Sequence, residues 1–135
     1  MPLIIKTLIK ESSTQGFGLF TDENLDEGQK ISFDDPNFEK IIFHDEKLKM
    51  PPETQLFIET FAPFNKDGKF YYLNTDNSRF WNHSENPNTV FVRENGTHLG
   101  SVFTLRAIAK GEELTADYRE FCDNCKDGNF GFKLK

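Results

Sequence analysis

The chain has 135 residues, with 16 Lys plus Arg against 22 Asp plus Glu and a formal net charge of −6. That length fits one domain built on one core. The acidic balance argues against unspecific nucleic-acid binding, which needs a basic footprint, and favours basic partners through long-range attraction.

Residues 3–9 are short and β-branched and predict a first strand. They carry Lys6 and are too short for the apolar region of a signal peptide. No segment approaches the ~20 apolar residues of a membrane span, so a soluble, intracellular protein is expected. Residues 17–21 predict a second strand, interrupted by Gly18. A glycine there permits positive φ or a close approach of the backbone to a ligand. Strands are predicted again over 30–33 and 38–43, separated by the breaker Asp34-Asp35-Pro36-Asn37. Pro51-Pro52-Glu53 opens the one good helix, with Leu56, Phe57, Thr60 and Phe61 on one face, and Pro63 ends it. Residues 69–73 predict a strand. Residues 89–93 and 100–105 flank Glu94-Asn95-Gly96-Thr97, a strong hairpin signal. A last short strand follows Ala109-Lys110-Gly111. After Tyr118 the chain turns polar, and residues 122–135 are read as a short flexible tail. The 15 phenylalanines are expected to supply much of the apolar volume.

The stretch Arg79-Phe80-Trp81-Asn82-His83-Ser84-Glu85-Asn86-Pro87-Asn88 stands out. Its left half is aromatic and its right half holds amides, a hydroxyl and a proline. Such polar residues favour turns, and each would need a partner if buried. The pattern predicts a polar loop pinned at one end by buried aromatics, a suitable build for a rigid ligand site.

This stretch closely resembles the Arg-Phe-x-Asn-His-Ser-x-x-Pro-Asn signature of SET-domain protein lysine methyltransferases. Two further blocks fit the same family in the same order. One is Gly16-Phe17-Gly18-Leu19-Phe20, followed by Asp26-Glu27-Gly28. The other is Gly111-Glu112-Glu113-Leu114-Thr115-Ala116-Asp117-Tyr118. Pattern alone gives a mainly β domain with one main helix. The resemblance adds the SET-domain fold over residues 1–121: small β-sheets with a carboxy-terminal pseudoknot, in which the last strand tucks under a loop.

The resemblance implies methyl transfer from S-adenosylmethionine to a lysine of a protein substrate, which the acidic balance suggests is basic. A catalytically degenerate module that binds a peptide or the cofactor without turnover is the alternative. By resemblance, Asn82 and His83 bind the cofactor, and Gly16, Phe17 and Gly18 let the backbone approach its amino-acid end. Arg79 either contacts the cofactor carboxylate or braces the loop. Tyr118 is the expected catalytic tyrosine, and Tyr71 the channel-wall tyrosine, with Tyr72 as the fallback. Ala116 stands where the family usually has Phe or Tyr, a position that tunes how many methyl groups fit. Glu85 stands where many members carry a zinc-binding cysteine, and only Cys122 and Cys125 follow Tyr118. A closed zinc site needs four ligands; this chain would have to add His44, His83, His98 or a second subunit. No metal is therefore expected, and Phe121, Phe130 or Phe132 are candidates to cover the adenine.

Overall fold

Brief β-branched and aromatic runs, each stopped by a turn, fold into short strands. The structure, a computed structural model, describes residues 2–123. The strands are β1 (Thr7–Glu11), β2 (Phe17–Thr21), β3 (Lys30–Phe33), β4 (Glu39–Phe43), β5 (Phe64–Asn65), β6 (Phe70–Asn74), β7 (Asn82–His83), β8 (Thr89–Arg93), β9 (Gly100–Thr104) and β10 (Glu113–Ala116). Helix α1 (His44–Lys47) and helix α2 (Pro52–Phe61) lie between β4 and β5, and 3₁₀ turns cover Asn77–Phe80 and Tyr118–Glu120. The strands form three small sheets, ordered β1-β2-β10-β7, β3-β9-β8 and β4-β6-β5. No helix among the described residues is long and apolar enough to cross a membrane.

The predicted hairpin is β8–β9, in register from Thr89 opposite Thr104 to Arg93 opposite Gly100. The predicted first strand begins later, at Thr7, because residues 3–5 leave the sheet and Leu3 bridges instead to Ser32. The core is more aliphatic than the composition suggests. Leu19, Leu25, Ile31, Val102, Ile108 and Leu114 pack around Trp81, and Phe91 is the one phenylalanine of the buried core among the described residues. Phe17, Phe38, Phe43 and Phe57 are exposed.

Helix α2 starts and stops where the prolines predict, but its inward face differs. Ile58 and Ala62 pack on Ile42 and Tyr71, whereas Leu56 is 64% and Phe57 44% exposed. The third sheet offers a small aliphatic patch, and Ile58 fills it better than the bulkier Leu56–Phe57 pair. Helix α1 has no strong sequence signal and is held by tertiary contacts. Its buried Lys47 bonds Glu59 of α2 and donates to the Tyr71 hydroxyl of β6.

Strand β10 is the central tie. It pairs antiparallel with β2 and parallel with β7, with Thr115 opposite Asn82 and Ala116 opposite His83. The loop after β7 then closes over it. Asn88 Nδ2 donates to the Glu113 carbonyl at 2.8 Å, Asn88 Oδ1 accepts from the Thr115 N–H at 2.9 Å, and Thr89 Oγ1 donates to the Thr115 carbonyl at 2.7 Å. This lacing is the expected pseudoknot. Beyond it Cys122 is buried, and Asp123 Oδ2 accepts from the Lys66 N–H. Cys125, Phe130 and Phe132, with the rest of the predicted tail, lie outside the described residues.

The second and third sheets meet at a carboxyl pair. Asp34 Oδ2 accepts from the Gly100 N–H at 2.8 Å, and Glu39 Oε2 lies 3.3 Å from His98 Nε2. Burial, then the hydrogen bond and negative charge of Glu39, push the Asp34 carboxyl up to about 8; the Gly100 N–H opposes them. An acid whose folded pKa exceeds its unfolded value binds more protons when folded. Its contribution to stability is therefore lost as pH rises from about 4 to about 8. The melting temperature should fall by roughly 5 °C across that window beyond what Asp34→Asn shows, given a few degrees per kcal/mol for a domain of this size. Equal pH profiles for the two proteins by calorimetry would remove the pair from this role.

Candidate active site

The site is built on an alternation. The 3₁₀ turn Asn77–Phe80 is capped by Asp76, whose Oδ1 accepts from the Ser78 N–H at 3.0 Å, and it delivers the chain extended into β7. Successive side chains of an extended segment point to opposite faces. Trp81 lines a pocket on one side, and Asn82 turns to the glycine segment before β2 on the other.

On the Asn82 side, backbone carbonyls crowd around one amide. Asn82 is 0% exposed, and its Nδ2 lies 3.1 Å from the Gln15 carbonyl, 3.0 Å from the Phe17 carbonyl and 2.9 Å from Glu113 Oε1. Gly16 between those carbonyls has φ +48°, a left-handed conformation that favours glycine. Gly18 makes room: a Cβ there would sit 2.1 Å from Glu113 Oε1 and 3.1 Å from Asn82 Nδ2. Asn82 Oδ1 is buried with no partner. One NH₂ group has two hydrogens for three acceptors, and a fourth acceptor is unmet. Such a donor-poor cluster fits a cationic amino group, which S-adenosylmethionine carries at its amino-acid end. Phe17, at 50% exposed, flanks the cluster with an open apolar ring.

On the Trp81 side, the pocket holds about 540 Å³ of space, including its open mouth. Phe61, Tyr72, Phe91, Val102 and Ala116 supply apolar walls, Arg79 stands in the wall, and among the described residues no carboxylate lines it. At its base the fully buried Tyr118 donates its hydroxyl to the Trp81 carbonyl at 2.6 Å. Tyr72 donates to the Phe121 carbonyl, and burial holds its hydroxyl well above the ordinary tyrosine value. Tyr71 is on the opposite face of β6. Its ring meets Phe64 and His44, and its hydroxyl meets Lys47. The pocket-lining tyrosine of this strand is therefore the fallback Tyr72, because strand alternation places only one of two neighbours there. The Arg79 guanidinium stacks over the Phe80 ring at 5.1 Å.

His83 joins the two sides. Its Nδ1 accepts from the Tyr118 N–H at 3.2 Å, which leaves the ring proton on Nε2, 3.3 Å from Glu85 Oε1. Its ring tilts against the Tyr118 ring, with centroids 5.2 Å apart. Glu85 in turn accepts from Arg119 Nη2 at 3.0 Å, and Arg119 also grips Asp117 at 2.6 Å. The hydrogen bond from Arg119 holds the Asp117 carboxyl below its usual range. Glu85 thus forms one end of an ion-pair chain. Among the described residues no group of three His, Cys, Asp or Glu side chains is placed to hold a metal ion. Cys122 packs on Tyr118 and Phe121.

The structure thus brings together Gly16, Gly18, Asn82, His83 and Tyr118, and it sets Tyr71 apart. Sequence reasoning missed Glu113. The signal available was its place in the Gly111–Tyr118 block, two residues before Thr115 on a strand that alternates buried and half-buried positions.

The fold is shared with known proteins. A family model described as the SET domain matches residues 16–119. A Plasmodium falciparum protein described as a candidate histone methyltransferase aligns with a TM-score of 0.59 and 19% identity, covering 84% of this chain and 93% of that one. A humanized mutant of the Chaetomium thermophilum Polycomb Repressive Complex 2, bound to the inhibitor GSK126, aligns with a TM-score of 0.61 and 21% identity. There the match covers 89% of this chain but 16% of that one. At such identities the likeness is one of fold.

Proposed function

The chain belongs to the SET-domain family, and on that footing we propose that it transfers a methyl group from S-adenosylmethionine to a lysine amine of a protein substrate. The observation that carries the proposal is the two-sided site. A donor-poor cluster around Asn82 and an apolar pocket around Trp81 sit on neighbouring residues of one segment, and the Tyr118 hydroxyl is fixed on the Trp81 carbonyl in that pocket.

S-adenosylmethionine would supply an activated methyl group on a sulfonium. Asn82, His83 and the Gly16–Phe17–Gly18 backbone hold it, and Arg79 serves as a wall of the substrate pocket or a brace of the loop. Residues 1–121 form the catalytic unit. The lysine amine must arrive without its proton, although its free pKa is about 10.4. Apolar walls, with no carboxylate among the described residues, disfavour the ammonium form, so no dedicated base is needed. Tyr118, fixed by the Trp81 carbonyl, presents an oriented oxygen where the methyl group passes. That is preorganised electrostatics rather than proton transfer. Tyr72 braces the pocket wall. Alignment of the two reacting partners supplies much of the rest. A basic protein suits the net charge of −6.

The test is incubation of the purified protein with a cell lysate and methyl-labelled S-adenosylmethionine, followed by mass spectrometry. Label on a lysine of some lysate protein is expected. Cofactor binding without any labelled lysine would favour the non-catalytic module. Ala116 is buried and lines the pocket with Tyr118. Ala116→Phe should narrow it, so that the product distribution on the identified substrate moves toward fewer methyl groups per lysine. An unchanged distribution would place Ala116 away from the amine.

A further inference from the structure

Resting on the cofactor reading above, we propose that Glu113 is a positioning residue that fixes the Asn82 amide and selects the cofactor's amino group by its charge. Glu113 sits at the start of β10, half-buried, held from two sides. Its Oε1 accepts from Asn82 Nδ2 at 2.9 Å and its Oε2 from Ser12 Oγ at 2.9 Å. Ser12 Oγ is fixed in turn by the N–H groups of Thr14 and Gln15, at 3.1 and 3.3 Å. The missing side chain of Gly18 leaves the space that the carboxylate fills.

Two consequences follow from donor and acceptor counts. First, the carboxylate only accepts, so the Asn82 group facing it must be the NH₂. That orientation turns Oδ1 away as the unmet acceptor. A neutral Gln at 113 could satisfy Asn82 in either orientation and would not enforce it. Second, Glu113 has no cationic partner among the described residues. Its two recorded partners, an amide and a hydroxyl, are both neutral. An ionised carboxylate has about four lone-pair sites and here uses two of them. The Gln15 and Phe17 carbonyls gather with the carboxylate on the Nδ2 end of Asn82, and Oδ1 stands unmet at the other end. A primary ammonium brings N–H donors and a positive charge to these acceptors, and charge-assisted bonds are the strong ones. Glu113 therefore supplies charge complementarity, and the glycine backbone supplies access.

The experiment is calorimetric titration with S-adenosylhomocysteine and with its analogue lacking the α-amino group. The wild type should bind the amino form roughly tenfold or more tightly than the analogue, the scale of one charge-assisted hydrogen bond. Glu113→Gln should lose most of that discrimination while binding the analogue as the wild type does. Glu113→Asp keeps the charge but draws it back, and should retain part of it. Circular dichroism of each apo protein establishes folding. Wild-type discrimination persisting in whichever variant folds overturns the proposal, as does an equal loss for both ligands, which would mark a purely structural role. A wild type that binds neither ligand overturns the cofactor reading itself.

Discussion

Tyr118→Phe is expected to lower the rate of methyl transfer by roughly 10²-fold or more, the scale of losing one preorganised donor. The ring contacts with His83 and Phe121 survive the change, so the pocket keeps its shape. The lost group is the hydroxyl bound to the Trp81 carbonyl. Deleting it removes one buried hydrogen bond, at a cost of about 1 kcal/mol in stability. Cofactor affinity should change little, because the acceptor cluster around Asn82 lies on the other side of β7. Single-turnover methylation of the identified substrate, beside calorimetric titration of the cofactor, separates these effects. Tyr72→Phe should be milder. Tyr71→Phe should act on stability through Lys47 and leave the rate near wild type. Full activity in Tyr118→Phe would move the catalytic assignment to Tyr72.

Asn82→Ala should abolish measurable cofactor binding, or weaken it by about 10²-fold. Three acceptors lose their donor at once: the Gln15 carbonyl, the Phe17 carbonyl and Glu113 Oε1. Each buried polar group left unmet costs about 1–3 kcal/mol, so the apo protein should also melt earlier. The two effects are separable by mass action. In the wild type, saturating S-adenosylmethionine raises the melting temperature; in Asn82→Ala that increment should vanish even at temperatures where the variant is folded. An undiminished increment would show that the cofactor sits elsewhere.

Much of the fold is legible in the chain because its signals are local. Asn95-Gly96 between β-branched runs specifies the β8–β9 hairpin, and Pro51-Pro52-Glu53 sets the start of α2. In the Arg79–Asn88 stretch the expected aromatic pin is Trp81, which is buried, but the expected polar loop starts in a 3₁₀ turn and contains strand β7. What is not legible depends on distant partners. A two-residue strand such as β7 has no period of its own, and its parallel match with β10 is fixed only by the sheet. The inward face of α2 is likewise chosen by Ile42 and Tyr71, which the helix sequence does not contain. The choice between Tyr71 and Tyr72 turns on a single step of strand alternation. Neighbouring identical residues give no sequence basis for deciding it. Glu113 escaped notice because its chemistry exists only where Ser12, Gly18 and Asn82 converge from three separate segments.

The placement of β10 also sets an order of events when the chain folds. Residues 113–116, near the end of the sequence, supply an interior strand of the first sheet, flanked by β2 and β7. Neither flanking strand can pair with the other in its absence, and the loop over Asn88 has nothing to fasten to. Contacts between residues so far apart in sequence close slowly, because loop entropy is spent before they form. During synthesis the earlier segments must wait, with an open sheet edge, until this strand emerges. Both sides of the candidate site are therefore completed in the same late step, and a nascent chain stopped before Glu113 has neither.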